Sequence, residues 1–179
     1  LLAVPATSQY RSVPDLVAQA RAKAGGMPYG SGGVGSISHL SAELFKRAAG
    51  ISSLHVPYKG YSSMLPDLIA GRLDFSFMGQ ADVVPHLGGG RLRALTITSP
   101  QRVAALPDVA TMREAGFEDF EASFSYTYLV PRGTPAPVIR QLQDAIIKAL
   151  ANDSLQERMV SMGLILIPGG PEQVVETIR

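Results

Sequence analysis

Between Met27 and Leu44 the chain reads MPYGSGGVGSISHLSAEL, and the chemistry concentrated there is that of an anion site. An apolar approach ends at Tyr29. Gly30, Gly32, Gly33 and Gly35 then interrupt the backbone, and Ser36 opens a segment with helical periodicity. Glycine admits positive φ and lets the main chain come close to a ligand, while the first amides of a helix lack intrahelical acceptors and sit at the positive end of its dipole. Such a turn suits a carboxylate or a phosphate. Ser31, Ser36 and Ser38 add hydroxyls with two possible uses, capping those amides or donating to an oxyanion.

GSGGVG at Gly30 to Gly35 also matches the dinucleotide pattern G-x-G-x-x-G, so a dinucleotide-binding domain of an oxidoreductase is the alternative reading. That pattern requires an acidic residue about 20 positions on, to hold a ribose. The corresponding stretch, Leu54-His55-Val56-Pro57-Tyr58-Lys59-Gly60, contains no carboxylate. No Gly-Lys-Ser/Thr follows the glycines, which excludes a P-loop. The balance favours a small carboxylate or phosphate over a nucleotide.

Other chemistry-bearing residues are sparse. His39 falls in the first helical turn, where burial and the dipole both oppose a positive charge, so it reads as a neutral imidazole bonded to the turn or as a ligand contact. His55 and His86 have no partners at metal spacing and read as structural. Lys59 suits a second carboxylate, or is simply solvated. Neither G-x-S-x-G nor H-E-x-x-H occurs, so nothing points to a hydrolase.

The elements that position these residues follow from pattern. The chain has 179 residues, 46% hydrophobic and 17% charged, enough for a real core and too apolar for disorder. A formal charge of +1 gives no footprint for nucleic acid, the absence of cysteine removes thiol chemistry, and no apolar run reaches membrane-spanning length. Strands are expected at Leu1–Pro5, before Gly30, at Leu54–Pro57, Leu73–Phe77 and Leu92–Thr98, alternating with helices from Pro14, Ser36, Ser63 and Val83. The helix from Ser36 is expected to bury Leu40, Leu44, Phe45 and Ala48. This βαβ alternation predicts an α/β fold with a mostly parallel sheet flanked by helices, and a ligand beyond the carboxyl ends of its strands. Beyond Pro100 the pattern predicts a short helix at Met112–Ala115 and a strand at Ala122–Val130. Helices at Ala136–Ala151 and Ser154–Met162, a strand at Leu164–Ile167 and a helix from Pro171 follow.

Taken in order, YGSGGVGSISHLSAELFKRAAG, HVPYKGYSSMLPDLIAGRLDFSF, LRALTITSPQRVAALPDVATMREAGF and LVPRGTPAPVIRQLQDAIIKALAND make a specific set. The chain resembles the Bug family, the TctC-like substrate-binding proteins of tripartite tricarboxylate transporters, over nearly its whole length. The resemblance implies a periplasmic-binding-protein lobe of the type II, Venus flytrap kind. It implies a periplasmic protein that captures a small carboxylate, such as a di- or tricarboxylate, an amino acid or an aromatic acid. It further implies no enzymatic activity, no cofactor and no metal, with the membrane components of a transporter or a sensor protein as partners. In the family the Gly/Ser turn supplies backbone and hydroxyl donors to the ligand, partly through ordered water. Those positions are Ser31, Gly32, Gly33, Gly35 and Ser36 here, with His39 beside them. The PYKG-like turn maps to Tyr58, Lys59 and Gly60. After DFSFMG, where the family carries an acidic or small polar position, this chain has Gln80.

The resemblance also implies that residues 1–120 form the second ligand-binding lobe and residues 121–179 a returning segment that packs on a first lobe not contained in this sequence. Leu1 opening in mid-strand and Arg179 closing in mid-helix fit an incomplete flytrap. The stripe Val138, Leu142, Ile146 and Leu150 then needs another partner, and either dimerisation or rearrangement of the isolated fragment is expected.

Overall fold

The first strand, β1 (Leu2–Pro5), is buried on both faces, with Leu2 and Val4 in one hydrophobic core and Ala3 in the other. A strand with that pattern belongs in the interior of a sheet. In the computed structural model, which describes residues 1–123, 125–164, 166–167 and 169–178, β1 lies there. The sheet has five strands in the order β3-β2-β4-β1-β5, with β2 at Met27–Ser31, β3 at Ser53–Pro57, β4 at Phe75–Phe77 and β5 at Leu92–Thr96. β2 pairs in parallel with β3 and β4, whereas β1 is antiparallel to both β4 and β5. Four strands point one way and β1 the other, so the sheet is mostly parallel in direction and mixed in pairing.

Helices cover both faces. α1 (Val13–Ala22) and α2 (Ile37–Ala49) bury Leu16, Ala20, Ala42 and Phe45 against Tyr29, Phe75 and Phe77. α3 (Tyr61–Ile69) and α4 (Gln80–Leu87) bury Met64, Leu68 and Val83 on the opposite face, with Leu73 and Ile97. The expected buried side of α2 is corrected: Phe45 is buried as expected, but Leu40, Leu44 and Ala48 are exposed, and Ser38, Ser41, Ala42, Phe45 and Ala49 face the sheet. Small residues on that side bring the helix close enough for Phe45 to pack edge-on to Phe75 and Phe77.

Two elements expected between residues 100 and 130 are not found among the described residues. Thr111 and Glu114 form a reciprocal cap, Thr111 N donating to Glu114 Oε2 and Glu114 N to Thr111 Oγ1, but Gly116 at φ 93° ends the helix expected at Met112–Ala115 after one turn. Phe124 lies outside the described residues, and the other residues of the alternating segment 122–130 join no sheet. Tyr128 and Leu129 are exposed there. Alternation makes a strand only where a neighbour offers a ladder.

The chain divides into two compact units, Leu1–Phe124 and Ser125–Arg179. The second holds α5 (Ala136–Leu150), α6 (Asp153–Ser161) and α7 (Pro171–Ile178). No residue of α5 or α6 is buried, and Val138 and Leu142 of the apolar stripe are exposed. The strand expected at Leu164–Ile167 includes Ile165, outside the described residues; Leu164, Leu166 and Ile167 belong to no regular element. No helix among the described residues is long and apolar enough to cross a membrane.

Candidate ligand-binding site

β3, β2 and β4 are neighbours running in one direction, so the turns at their carboxyl ends lie side by side, each opening into a helix: β2 into α2, β3 into α3, β4 into α4. Two of these turns are tied together by backbone hydrogen bonds, from Tyr58 N to Ser31 O at 3.0 Å and from Gly60 N to Gly32 O at 3.2 Å. From β4, the buried Ser76 hydroxyl donates to Gly30 O at 2.8 Å. The fold thus brings Ser31, Gly32, Gly33, Gly35, Ser36 and His39 beside Tyr58, Lys59 and Gly60. Gln80 stands at the start of α4, beyond the adjacent strand end.

The Gly/Ser turn is built by its own polar groups. Gly33 N donates to Ser31 Oγ (3.1 Å), Gly32 N to Ser38 Oγ (3.0 Å) and Gly35 N to His39 Nδ1 (3.1 Å). Ser36 caps α2 by accepting from His39 N, and its hydroxyl donates to Gly33 O at 2.7 Å. Of the two uses open to the serine hydroxyls, capping and bracing the turn is the one the structure displays. Among the described residues no acceptor faces the amides of Val34, Ile37 and Ser38, two of which are the first amides of α2. Gly35 needs positive φ (77°) but has open space around it. Gly30 needs room, because a Cβ there would lie 2.6 Å from Met64 Sδ and Leu73 Cδ1.

Behind the turn, four rings run across the sheet. Phe75 stacks on Tyr29 (centroids 5.4 Å apart), Tyr29 on His55 (4.9 Å) and His55 on His39 (4.1 Å). The β2–β3 register sets Tyr29 opposite His55, which puts both on the α2 face. His55 Nε2 lies 2.7 Å from Ser31 Oγ. Glu43, one helical turn beyond His39, accepts from the Tyr29 hydroxyl (2.5 Å) and from Lys46 (2.7 Å), and stands 4.0 Å from His39 Nε2. Burial opposes the Glu43 charge, but the bonds from Lys46 and Tyr29 outweigh it and hold this carboxyl below its usual range. Burial, reinforced by the neighbouring His39, lowers the His55 imidazole.

The other expected contacts differ in kind. The Tyr58 hydroxyl is committed to Asp67 at 2.6 Å, and burial together with that carboxylate pushes it up to about 12. Lys59 is exposed on its turn. Gln80 is half-buried, and its Oε1 is shielded from solvent without a hydrogen-bond partner among the described residues. The sequence reading missed the ring row and the Glu43 hub. The i+4 spacing from His39 to Glu43 and the i+3 spacing from Glu43 to Lys46 were available signals, whereas the place of His55 depends on strand register. Among the described residues no group of three or more His, Asp or Glu side chains is placed to hold a metal.

A family model described as "Tripartite tricarboxylate transporter family receptor" matches residues 1–177. A UPF0065 protein encoded in the tcbD-tcbE intergenic region of Pseudomonas sp. (strain P51) is 34% identical over 180 residues, covering 100% of this chain and 54% of that protein. Among solved structures, R. palustris Rpa4515 with adipate superposes with a TM-score of 0.94 at 32% identity, covering 99% of this chain and 60% of that one. The periplasmic binding protein BugD superposes at 0.90 with 26% identity, with coverage of 99% and 60%. The chain spans about half the length of the curated relatives it matches. None of these comparisons favours the dinucleotide reading.

Proposed function

The chain belongs to the tripartite tricarboxylate transporter receptor family, and from that premise we propose that the protein captures a small carboxylate in the periplasm and presents it to the membrane components of a transporter or to a sensor. It does so by binding, without catalysis. The observation that carries this reading is the family match over residues 1–177, supported by the adipate held by a structural neighbour of 0.94 TM-score. Residues 1–120 act as one lobe of a flytrap, and residues 121–179 as the segment that returns to the other.

The ligand carboxylate sits at the mouth of the Gly30–Ser36 turn. The free amides of Val34, Ile37 and Ser38 supply the backbone donors, at the positive end of α2. Ser31, Gly32, Gly33, Gly35 and Ser36 hold the turn in shape, since their own hydroxyls and amides are internally bonded. His39 and Gly60 border the same mouth, and Tyr58 braces the second turn through Asp67. Lys59 meets a second carboxylate when the ligand has one, and Gln80 offers its amide from the β4 side. Calorimetry of the full-length protein against adipate, succinate, malate, citrate and glutamate tests this. Binding of at least one is expected, with Lys59→Met weakening dicarboxylates and leaving monocarboxylates unchanged. Silence toward every carboxylate, with a response to NAD, would transfer the site to the dinucleotide reading.

A further inference from the structure

His39 and His55 are stacked face to face with centroids 4.1 Å apart and planes inclined by 19°. Each imidazole holds one end of the turn: His39 Nδ1 accepts from Gly35 N at 3.1 Å, and His55 Nε2 lies 2.7 Å from Ser31 Oγ. Because Nδ1 is an acceptor, neutral His39 carries its proton on Nε2, the nitrogen that faces Glu43 at 4.0 Å. The charged and titratable groups around the pair are Glu43 and Lys46 on α2 and the Tyr29 phenol on β2. The first two are bonded to each other, and the phenol to Glu43.

We propose that the His39–His55 pair is a one-proton switch on the turn, in which protonation of His39 at Nδ1 releases the Gly35 amide and creates a two-donor clamp for an anion. A proton added at Nδ1 turns that nitrogen from acceptor into donor. The Gly35 N–H loses its partner, and two donors are left side by side where one carboxylate can bridge them. Only one proton enters, because two imidazolium rings in face contact repel, and His55 is the ring whose burial disfavours charge. Without an anion, the positive end of α2 offers the added proton no compensating charge. A bound anion reverses that balance, so capture and proton uptake are linked. The switch stands on the geometry of the pair; its use by a carboxylate rests on the function proposed above.

Two measurements separate these. Side-chain and amide NMR of the full-length protein, titrated from about pH 8 to about pH 5, the range in which imidazoles change charge, is expected to show the Gly35 amide moving in step with His39. One of the two rings should stay neutral throughout. Independent protonation of both rings, or a Gly35 amide indifferent to His39, overturns the switch. Calorimetry with succinate, glutarate and citrate in buffers of different ionisation heat is expected to show proton uptake on binding, with affinity rising several-fold, at most about tenfold per pH unit, toward acid. The His39→Asn variant keeps an acceptor for Gly35 without a titrating group, and its binding should lose both effects. Binding in the wild type with identical heats in every buffer overturns the linkage and leaves carboxylate capture standing. No binding of any carboxylate, with the NMR titration as described, overturns carboxylate capture and leaves the switch standing.

Discussion

Ser38 shows how far a single residue type can mislead and inform at once. Its hydroxyl is buried, accepts from Gly32 N at 3.0 Å and lies 2.9 Å from Ser36 Oγ, so it braces the turn from inside the first helical turn. Ser38→Ala strands the Gly32 amide and is expected to cost about 1–3 kcal/mol of stability, measured by urea denaturation. A loss close to zero would mean that another acceptor replaces the hydroxyl. His55 gives a pH dependence whose sign is fixed by its environment. Its folded pKa lies below the unfolded value, so the unfolded chain binds more protons; the stabilisation is present above about pH 6.5 and is lost as pH falls below it. The urea midpoint should therefore drop on acidification through that range. His55→Phe, which keeps a ring on Tyr29 and His39 but does not titrate, should flatten the slope. An unchanged slope in that variant would assign it to other groups.

The elements explain why some of the site was legible in the sequence and some was not. The β2-turn-α2 unit is local: the strand end, the glycines, the Ser36 cap and the helix stop at Gly50 are all readable from neighbouring residues, and all are present. What depends on tertiary placement was not readable. The buried face of α2 is set by the close approach of Ser38, Ser41 and Ala42 to the sheet, so Leu40 and Leu44 face outward against the expectation from size alone. The segment 122–130 has strand periodicity, but its described residues join no sheet. The two kinds of glycine in the turn predict opposite phenotypes. Gly30→Ala forces a Cβ to 2.6 Å from Met64 and Leu73, and should destabilise the fold by about 1–3 kcal/mol in urea denaturation, as overpacked cores do. Gly35→Val meets no atom but must hold φ near 77°, so it should reduce carboxylate affinity in calorimetry by about tenfold or more with a smaller stability loss of about 1–2 kcal/mol. Unchanged carboxylate affinity in Gly35→Val would contradict this division.

For the molecule as a whole, buried side chains are unevenly shared. The two hydrophobic cores lie within the unit Leu1–Phe124, while α5 and α6 contain no buried residue. Hydrogen exchange should accordingly find the slowest amides in β1, β2 and β4 and much faster exchange in α5 and α6; comparable protection in α5 would show that its apolar stripe is covered in solution. Apolar side chains also remain at the surface of each unit, Leu40, Leu44 and Leu54 in one and Val138, Leu142 and Ile147 in the other. Light scattering on this 179-residue chain is expected to report self-association; a monomer at all concentrations would contradict that. The antiparallel strand between β4 and β5 also bears on how the sheet forms. β1 pairs Leu2 with Phe77 and Pro5 with Leu92, so neither of its ladders can close until most of the lobe has been traced out, whereas β2 and β3 are joined through α2 alone. Long-range ladders of this kind are slow because the loop must be closed before any contact rewards it. Until those ladders close, β4 and β5 have no strand between them, so β1 is expected to join the sheet after β2 and β3 have paired.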